Sequence, residues 1–157
     1  MLEYGWLFSE AVGEYHVWSL DDFFHIIDEQ HRLEDNLALK SGPVMFCDTD
    51  GLATRMFHEL YLKHEGPDKR MYHEVERYVQ RALYIVTDHV DVPFEDDGYR
   101  LFAHQREWAT KWFERTLTDL SLPWLKVTGS PTERLARASA KIDKLLVWNF
   151  EKPVEYR

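Results

Sequence analysis

The sequence predicts an α/β domain with a mainly parallel sheet, on three observations. Short strand-like apolar runs recur along the chain, segments of helical periodicity separate them, and the links between are brief. The runs are Val44-Met45-Phe46-Cys47, Leu83-Tyr84-Ile85-Val86 and Trp124-Leu125-Lys126-Val127. The first two are continuously apolar, the pattern of strands covered by helices on both faces.

The first helix in the reading starts at Ser19, an N-cap with an acid three residues on at Asp22. It spans Leu20 to Lys40, with Phe23, Phe24, Ile27, Leu33 and Leu37 as its apolar positions, and stops at Ser41-Gly42-Pro43. The strand Val44–Cys47 follows and runs into Asp48-Thr49-Asp50. A second helix fits Leu52 to Lys63, with Met56, Phe57, Leu60 and Tyr61 along one side and Gly66-Pro67 ending it. A polar third helix fits Arg70 to Arg81. After the strand at Leu83 comes a helix from Glu107 to Leu120, whose stripe of Trp108, Trp112, Phe113 and Leu117 reads as core. The last strand, Trp124–Val127, ends at Thr128-Gly129. Ser130-Pro131, a cap and a first-turn proline, then opens a helix through Leu135, Ala138, Ile142 and Leu145. Residues 1–150 read as one domain and residues 151–157 as a loosely held tail.

Composition narrows the function. With 28 Asp+Glu against 19 Lys+Arg, the net charge is −9. That balance disfavours non-specific nucleic-acid binding and docking on an anionic membrane, both of which need a basic face. Aromatic residues make up 15% of the chain, far more apolar surface than a disordered chain carries. The one cysteine, Cys47, excludes an internal disulfide framework and a cysteine-based zinc cluster, and suits a reducing cytoplasm. No apolar run approaches the roughly 20 residues of a membrane helix, and the N-terminus has no basic segment of the kind that opens a signal peptide.

In parallel sheets ligands sit at the carboxyl ends of strands. That rule selects Asp48 and Asp50, the loop after Val90, and Thr128-Gly129. Two carboxylates one residue apart at a strand end can hold a divalent cation that bridges phosphate oxygens. The same pattern suits the metal-binding acid of a P-loop kinase, a nucleotide-sugar D-x-D, or a D-x-D phosphatase. It also suits two solvated loop aspartates that cap the helix at Leu52. The acidic segment Val92 to Arg100 is followed by Arg106, and the two arginines Arg100 and Arg106, six apart, are placed to neutralise a transferred phosphoryl group, or simply to pair with local carboxylates. Thr128-Gly129-Ser130, entering a helix, is a place for a nucleotide base or phosphate, or an ordinary capped link. His25/His31 and His58/His64 are each six apart. That spacing leaves each pair about 120° apart around a helix, unlike the four-residue spacing of helical metal sites.

Taken in order, these segments resemble the ribosylnicotinamide kinase domain of the NadR-type NAD-biosynthesis proteins and their AAA-like relatives. The likeness runs from Glu3-Tyr4-Gly5 and the helix with Gln30, through Phe46-Cys47-Asp48-Thr49-Asp50 and Leu83–Thr87. It continues through Pro93-Phe94…Asp97-Gly98-Tyr99-Arg100 and Arg106-Glu107-Trp108, and closes at Gly129…Glu133-Arg134. The resemblance implies a three-layer P-loop-kinase fold that transfers the γ-phosphate of ATP to a nucleoside such as nicotinamide riboside. It places Mg²⁺ and the catalytic acid at Asp48 or Asp50, the nucleoside beside Glu3, Tyr4, Phe94 and Asp97, a phosphate lid at Arg100 and Arg106, and the nucleotide at Thr128 and Gly129. Two departures stand out. Trp6 follows Glu3-Tyr4-Gly5 where the family has arginine, and no G-x-x-x-x-G-K-[ST] string occurs in the chain. The reading is therefore a kinase-like domain lacking the first strand and the phosphate loop, with little or no activity as it stands and a homo-oligomer possible. Its alternatives are a non-catalytic nucleotide-binding or interaction module, and a D-x-D phosphatase.

Overall fold

The computed structural model describes residues 3–42, 44–62, 68–73, 83–90, 92–93 and 103–151. The chain forms two compact units. One is built from Met1–Arg81 with Asp97–Leu101, the other from Ala82–Asp96 with Phe102–Arg157.

The first unit is helical. Helix α1 spans Tyr4–Val12, α2 Leu20–Ala38 and α3 Gly51–Tyr61, and residues 69–73 are also helical. The start of α2 is the capping box that Ser19 and Asp22 predict. The Ser19 amide donates to Asp22 Oδ2 at 2.8 Å, and the Asp22 amide donates to Ser19 Oγ at 3.4 Å. Ile27 and Leu52 are fully buried where α2 meets α3, with Phe23, Met56 and Leu60 also buried on these helices, and Met71 in the short helical stretch 69–73 is buried too. Phe23 packs against Trp18, His58 and Tyr61 with ring centroids 5.3, 5.4 and 6.3 Å away. His58 is thus a core histidine in an aromatic cluster.

The second unit is α/β. Strand β1 (Tyr84–Thr87) pairs in parallel with β2 (Trp124–Val127), Tyr84 opposite Trp124 and Thr87 opposite Val127. Helix α4 (Arg106–Asp119) lies between them in sequence, preceded by a 3-10 turn at Ala103–Gln105, and α5 (Pro131–Glu151) follows β2. The β–α–β order is the crossover that parallel pairing requires. Trp112 and Leu117 of α4 are buried, as are Val86 and Val127 at the strand ends. Among the described residues no helix is long and apolar enough to cross a membrane.

The predicted elements are met with two differences. Val44–Cys47 is irregular rather than a strand: a strand needs a partner for its amides and carbonyls, and the two-stranded sheet lies in the other unit. Helix α1 went unread because Trp6, Leu7 and Phe8 give a short apolar block with no capping residue before it. The predicted helix Arg70–Arg81 is helical over its described part, and residues 74–81 lie outside the described residues. The architecture is thus a helix-rich α/β one with a small parallel sheet, as a P-loop-like fold would have.

Candidate functional site

In the first unit the acid-bearing loop enters α3 through Asp50. Its Oδ1 accepts hydrogen bonds from the amides of Leu52 at 2.9 Å and Ala53 at 3.2 Å, so Asp50 is the N-cap. Thr49, between the two aspartates, has φ of 63°. A β-branched residue in the left-handed region costs about 1–2 kcal/mol, and here that conformation makes the bend that brings Asp50 onto the helix end. Asp48 is exposed and makes no hydrogen bond or ion pair among the described residues. The two carboxylates therefore differ in kind, one built into the backbone and the other available to a ligand.

Behind them runs a polar line along α2. The buried Gln30 accepts the Tyr4 amide through Oε1 at 3.0 Å and donates through Nε2 to Glu34 at 3.1 Å. The Tyr4 hydroxyl meets His25 Nε2 at 3.1 Å. Glu3 is the N-cap residue of α1, without a side-chain cap bond. Burial, and then the nearby charges of Asp50 and Asp35, hold the Glu34 carboxyl above the ordinary glutamate range, against the lowering effect of its bond to Gln30. Desolvation, with the charges of Glu34 and Asp50, likewise pushes up the thiol of Cys47. Tyr4, Gln30 and Glu34 thus form a hydrogen-bonded path whose last member feels the charge of Asp50, and Glu34 has no counterpart in the sequence reading.

In the second unit the carboxyl ends of β1 and β2 are held together by arginines. Arg134 donates three hydrogen bonds to carbonyl oxygens: Nε to Gly129 at 2.6 Å, Nη1 to Asp88 at 2.8 Å and Nη2 to Val90 at 3.0 Å. Arg106, the first residue of α4, donates to the carbonyls of Val92 at 2.9 Å and His89 at 3.3 Å. Between them the two guanidiniums hold the segment after β1. Arg137 Nη1 donates to Thr128 Oγ1 at 2.8 Å. The Asp88 carboxylate bonds to Lys126 at 3.0 Å, which lowers its pKa, and Lys126 also pairs with Glu114 at 2.9 Å.

Gly129 is dictated by geometry. Its φ is 90°, and a Cβ there would lie 2.6 Å from Glu133 Oε2. That oxygen accepts from the amide and the hydroxyl of Ser130, each at 2.8 Å, and the Glu133 amide donates back to Ser130 Oγ at 3.4 Å. The end of α5 is closed by its own capping box. The Ser130 amide is the main cause of the lowered pKa of Glu133.

Of the residues selected from sequence, Glu3, Tyr4, Asp48 and Asp50 lie in the first unit, and Arg106, Thr128 and Gly129 in the second. Phe94, Asp97 and Arg100 lie outside the described residues. Sequence reading assigned no role to Arg134, Arg137 or Lys126. Two arginines three apart on the first turns of a helix that leaves a strand end were the available signal for the first two.

A model of the AAA domain matches residues 11–134, most of the chain. The chain belongs to the AAA domain family, of the P-loop NTPase type, and that membership points to nucleotide binding. No curated protein and no solved structure gives a significant match.

The different settings of the two aspartates predict different consequences. Asp50→Ala removes the cap of α3 and is expected to cost about 1 kcal/mol of stability. Asp48→Asn removes a solvated charge and should stay within about 0.5 kcal/mol of the wild type. Urea unfolding of the two variants, followed by circular dichroism, measures the difference. Equal midpoints would show that Asp50 does not cap the helix.

Proposed function

We propose that the chain is a nucleotide-binding domain of the nucleoside-kinase type, with nicotinamide riboside as the acceptor class that the sequence resemblance implies. One observation carries the reading. In a member of the AAA domain family, two parallel strands end side by side at a glycine turn that feeds a helix, where α/β folds bind ligands. Thr128 and Gly129 are the nucleotide contacts in this reading.

Mg²⁺ is typically bound by one or two carboxylates together with substrate phosphates, and keeps several waters. Asp48 fits that donor set, because its carboxylate is exposed and bound to nothing else. Asp50 fits less well, since Oδ1 is committed to two amides of α3. Among the described residues no group of three or more His, Cys, Asp or Glu is arranged for a metal, so a bound cation would take its remaining ligands from water and nucleotide. With MgATP, the metal would neutralise charge on the phosphates. On the protein side, Asp48 would orient the metal or accept the hydroxyl proton of the nucleoside. Glu3 and Tyr4, with Phe94 and Asp97, would border the nucleoside. Arg100 and Arg106 match the phosphate lid that the resemblance implies, and in the structure the Arg106 guanidinium is held by the carbonyls of His89 and Val92.

Phosphoryl transfer rests mainly on positioned electrostatics around the phosphates. The 157 residues carry no G-x-x-x-x-G-K-[ST] loop, so binding is expected without efficient turnover. Calorimetry should show saturable binding of MgATP and of nicotinamide riboside, while a product assay on the same chain shows no ATP-dependent phosphorylation. Robust phosphorylation would refute the second expectation. Binding of neither ligand, with a tight dimer in solution, would replace the reading with an interaction module.

A further inference from the structure

Among the described residues, the arginines that hydrogen-bond to other groups divide into two kinds by the company they keep. Arg32, Arg55 and Arg70, in the first unit, each lie 2.6–3.2 Å from a carboxylate, on Glu29, Glu59 and Asp68. Arg106, Arg134 and Arg137, in the second unit, hydrogen-bond only to uncharged oxygens. All three stand at the segments that leave β1 and β2. In a chain with 28 acidic residues against 19 Lys+Arg, three guanidiniums at one end of a sheet without an ion-pair partner leave a local excess of positive charge.

The nearest acid in sequence, Glu133, offsets only part of it: the Arg137 charge reaches that carboxylate and helps to lower its pKa, but one acid stands against three guanidiniums. Glu133 is bound into the cap of α5 through Ser130, and that cap also closes the helix end to an incoming anion. The positive charge therefore belongs to the arginine side chains and not to the helix terminus. Arg134 spends one donor of each of its three nitrogens on a carbonyl and acts as a positioning residue that holds the two strand ends together. Arg137 differs: it is exposed and has one hydrogen bond, to Thr128 Oγ1, which leaves its other N–H donors unused. Since the Thr128 oxygen accepts from Arg137, its own O–H remains to donate. A guanidinium and a hydroxyl held together in this way present donors to one oxyanion, and charge-assisted bonds of this kind are the strong ones.

We infer that Arg137 and Thr128 form a binding site for the phosphate group of a small molecule, on the framework that Arg134 holds. The inference deepens the nucleotide reading and rests on it only for what the rest of the ligand is.

The test is calorimetric titration of the 157-residue chain with inorganic pyrophosphate and, separately, with ATP. The variants are Arg137→Gln, Thr128→Val and, as a control for net charge, Arg115→Gln, an exposed arginine of α4. The wild type should bind pyrophosphate saturably. Arg137→Gln should weaken it about tenfold or more and Thr128→Val by less, with Arg115→Gln unchanged. Because Arg137 is exposed, its variant should fold, and its circular dichroism should match the wild type. Absence of saturable pyrophosphate binding by the wild type overturns the inference, as does equal weakening by Arg137→Gln and Arg115→Gln. ATP bound equally well by wild type and Arg137→Gln overturns the site and leaves the nucleotide reading standing. Pyrophosphate bound through Arg137 with no binding of ATP does the reverse.

Discussion

Arg134→Ala is expected to destabilise the second unit by about 3 kcal/mol, far more than a half-exposed residue ordinarily costs. The guanidinium bridges three carbonyl oxygens, on Asp88, Val90 and Gly129, at 2.6–3.0 Å. Those residues lie on the segments that leave two different strands. Hydrogen bonds from a charged donor are each worth about 1.5–3 kcal/mol, reduced here by partial exposure, and the loss leaves several carbonyls without their donor. Arg134→Lys should recover only part of the loss, because one ammonium cannot span three acceptors set out for a planar fork. Hydrogen exchange provides the local readout. The amide of Asp88, which donates to the Val127 carbonyl at 3.0 Å, should lose protection in the alanine variant. Unchanged unfolding and unchanged exchange would show that the fork carries no load.

Phe23→Ala should cost the first unit about 3–5 kcal/mol. Phe23 is 2% exposed and lies among Trp18, His58 and Tyr61. Truncation removes the transfer free energy of the ring and opens a cavity between rigid rings that cannot easily collapse into it. Urea unfolding followed by circular dichroism measures the loss. A loss below about 1 kcal/mol would mean that the cluster repacks, contrary to the close aromatic geometry. The effect reaches the candidate site through α2, since the same helix carries Gln30 and Glu34, and loss of its packing should also loosen the hydrogen-bonded path from Tyr4 to Glu34.

Most helices were legible because their signals are local. Ser19 with Asp22, and Ser130 with Pro131, mark helix starts by hydrogen bonds made within one turn, and both caps form as read. Leu83–Val86 and Trp124–Val127 were legible as strands to within a residue. Val44–Cys47 was not, because an apolar run states that a segment can be buried, while strand pairing depends on a partner distant in sequence. The D-T-D motif was legible as a ligand-bearing pattern or a helix cap. It took the fold to separate the two aspartates, with Asp50 spent on α3 and Asp48 left exposed. Arg134 could not be read as a strut, because its acceptors are main-chain oxygens 44 and 46 residues away, and every residue type carries the same carbonyl.

By itself, then, the sequence determined the periodic and capped elements, the α/β class and the acidic balance. These follow from side-chain spacing and from hydrogen bonds that close within a few residues. The tertiary structure alone decided which strands pair, which of Asp48 and Asp50 remains available, and that Arg106, Arg134 and Arg137 gather without carboxylate partners around two strand ends. Those outcomes depend on contacts between residues far apart in the chain, where backbone groups common to all residues meet particular side chains.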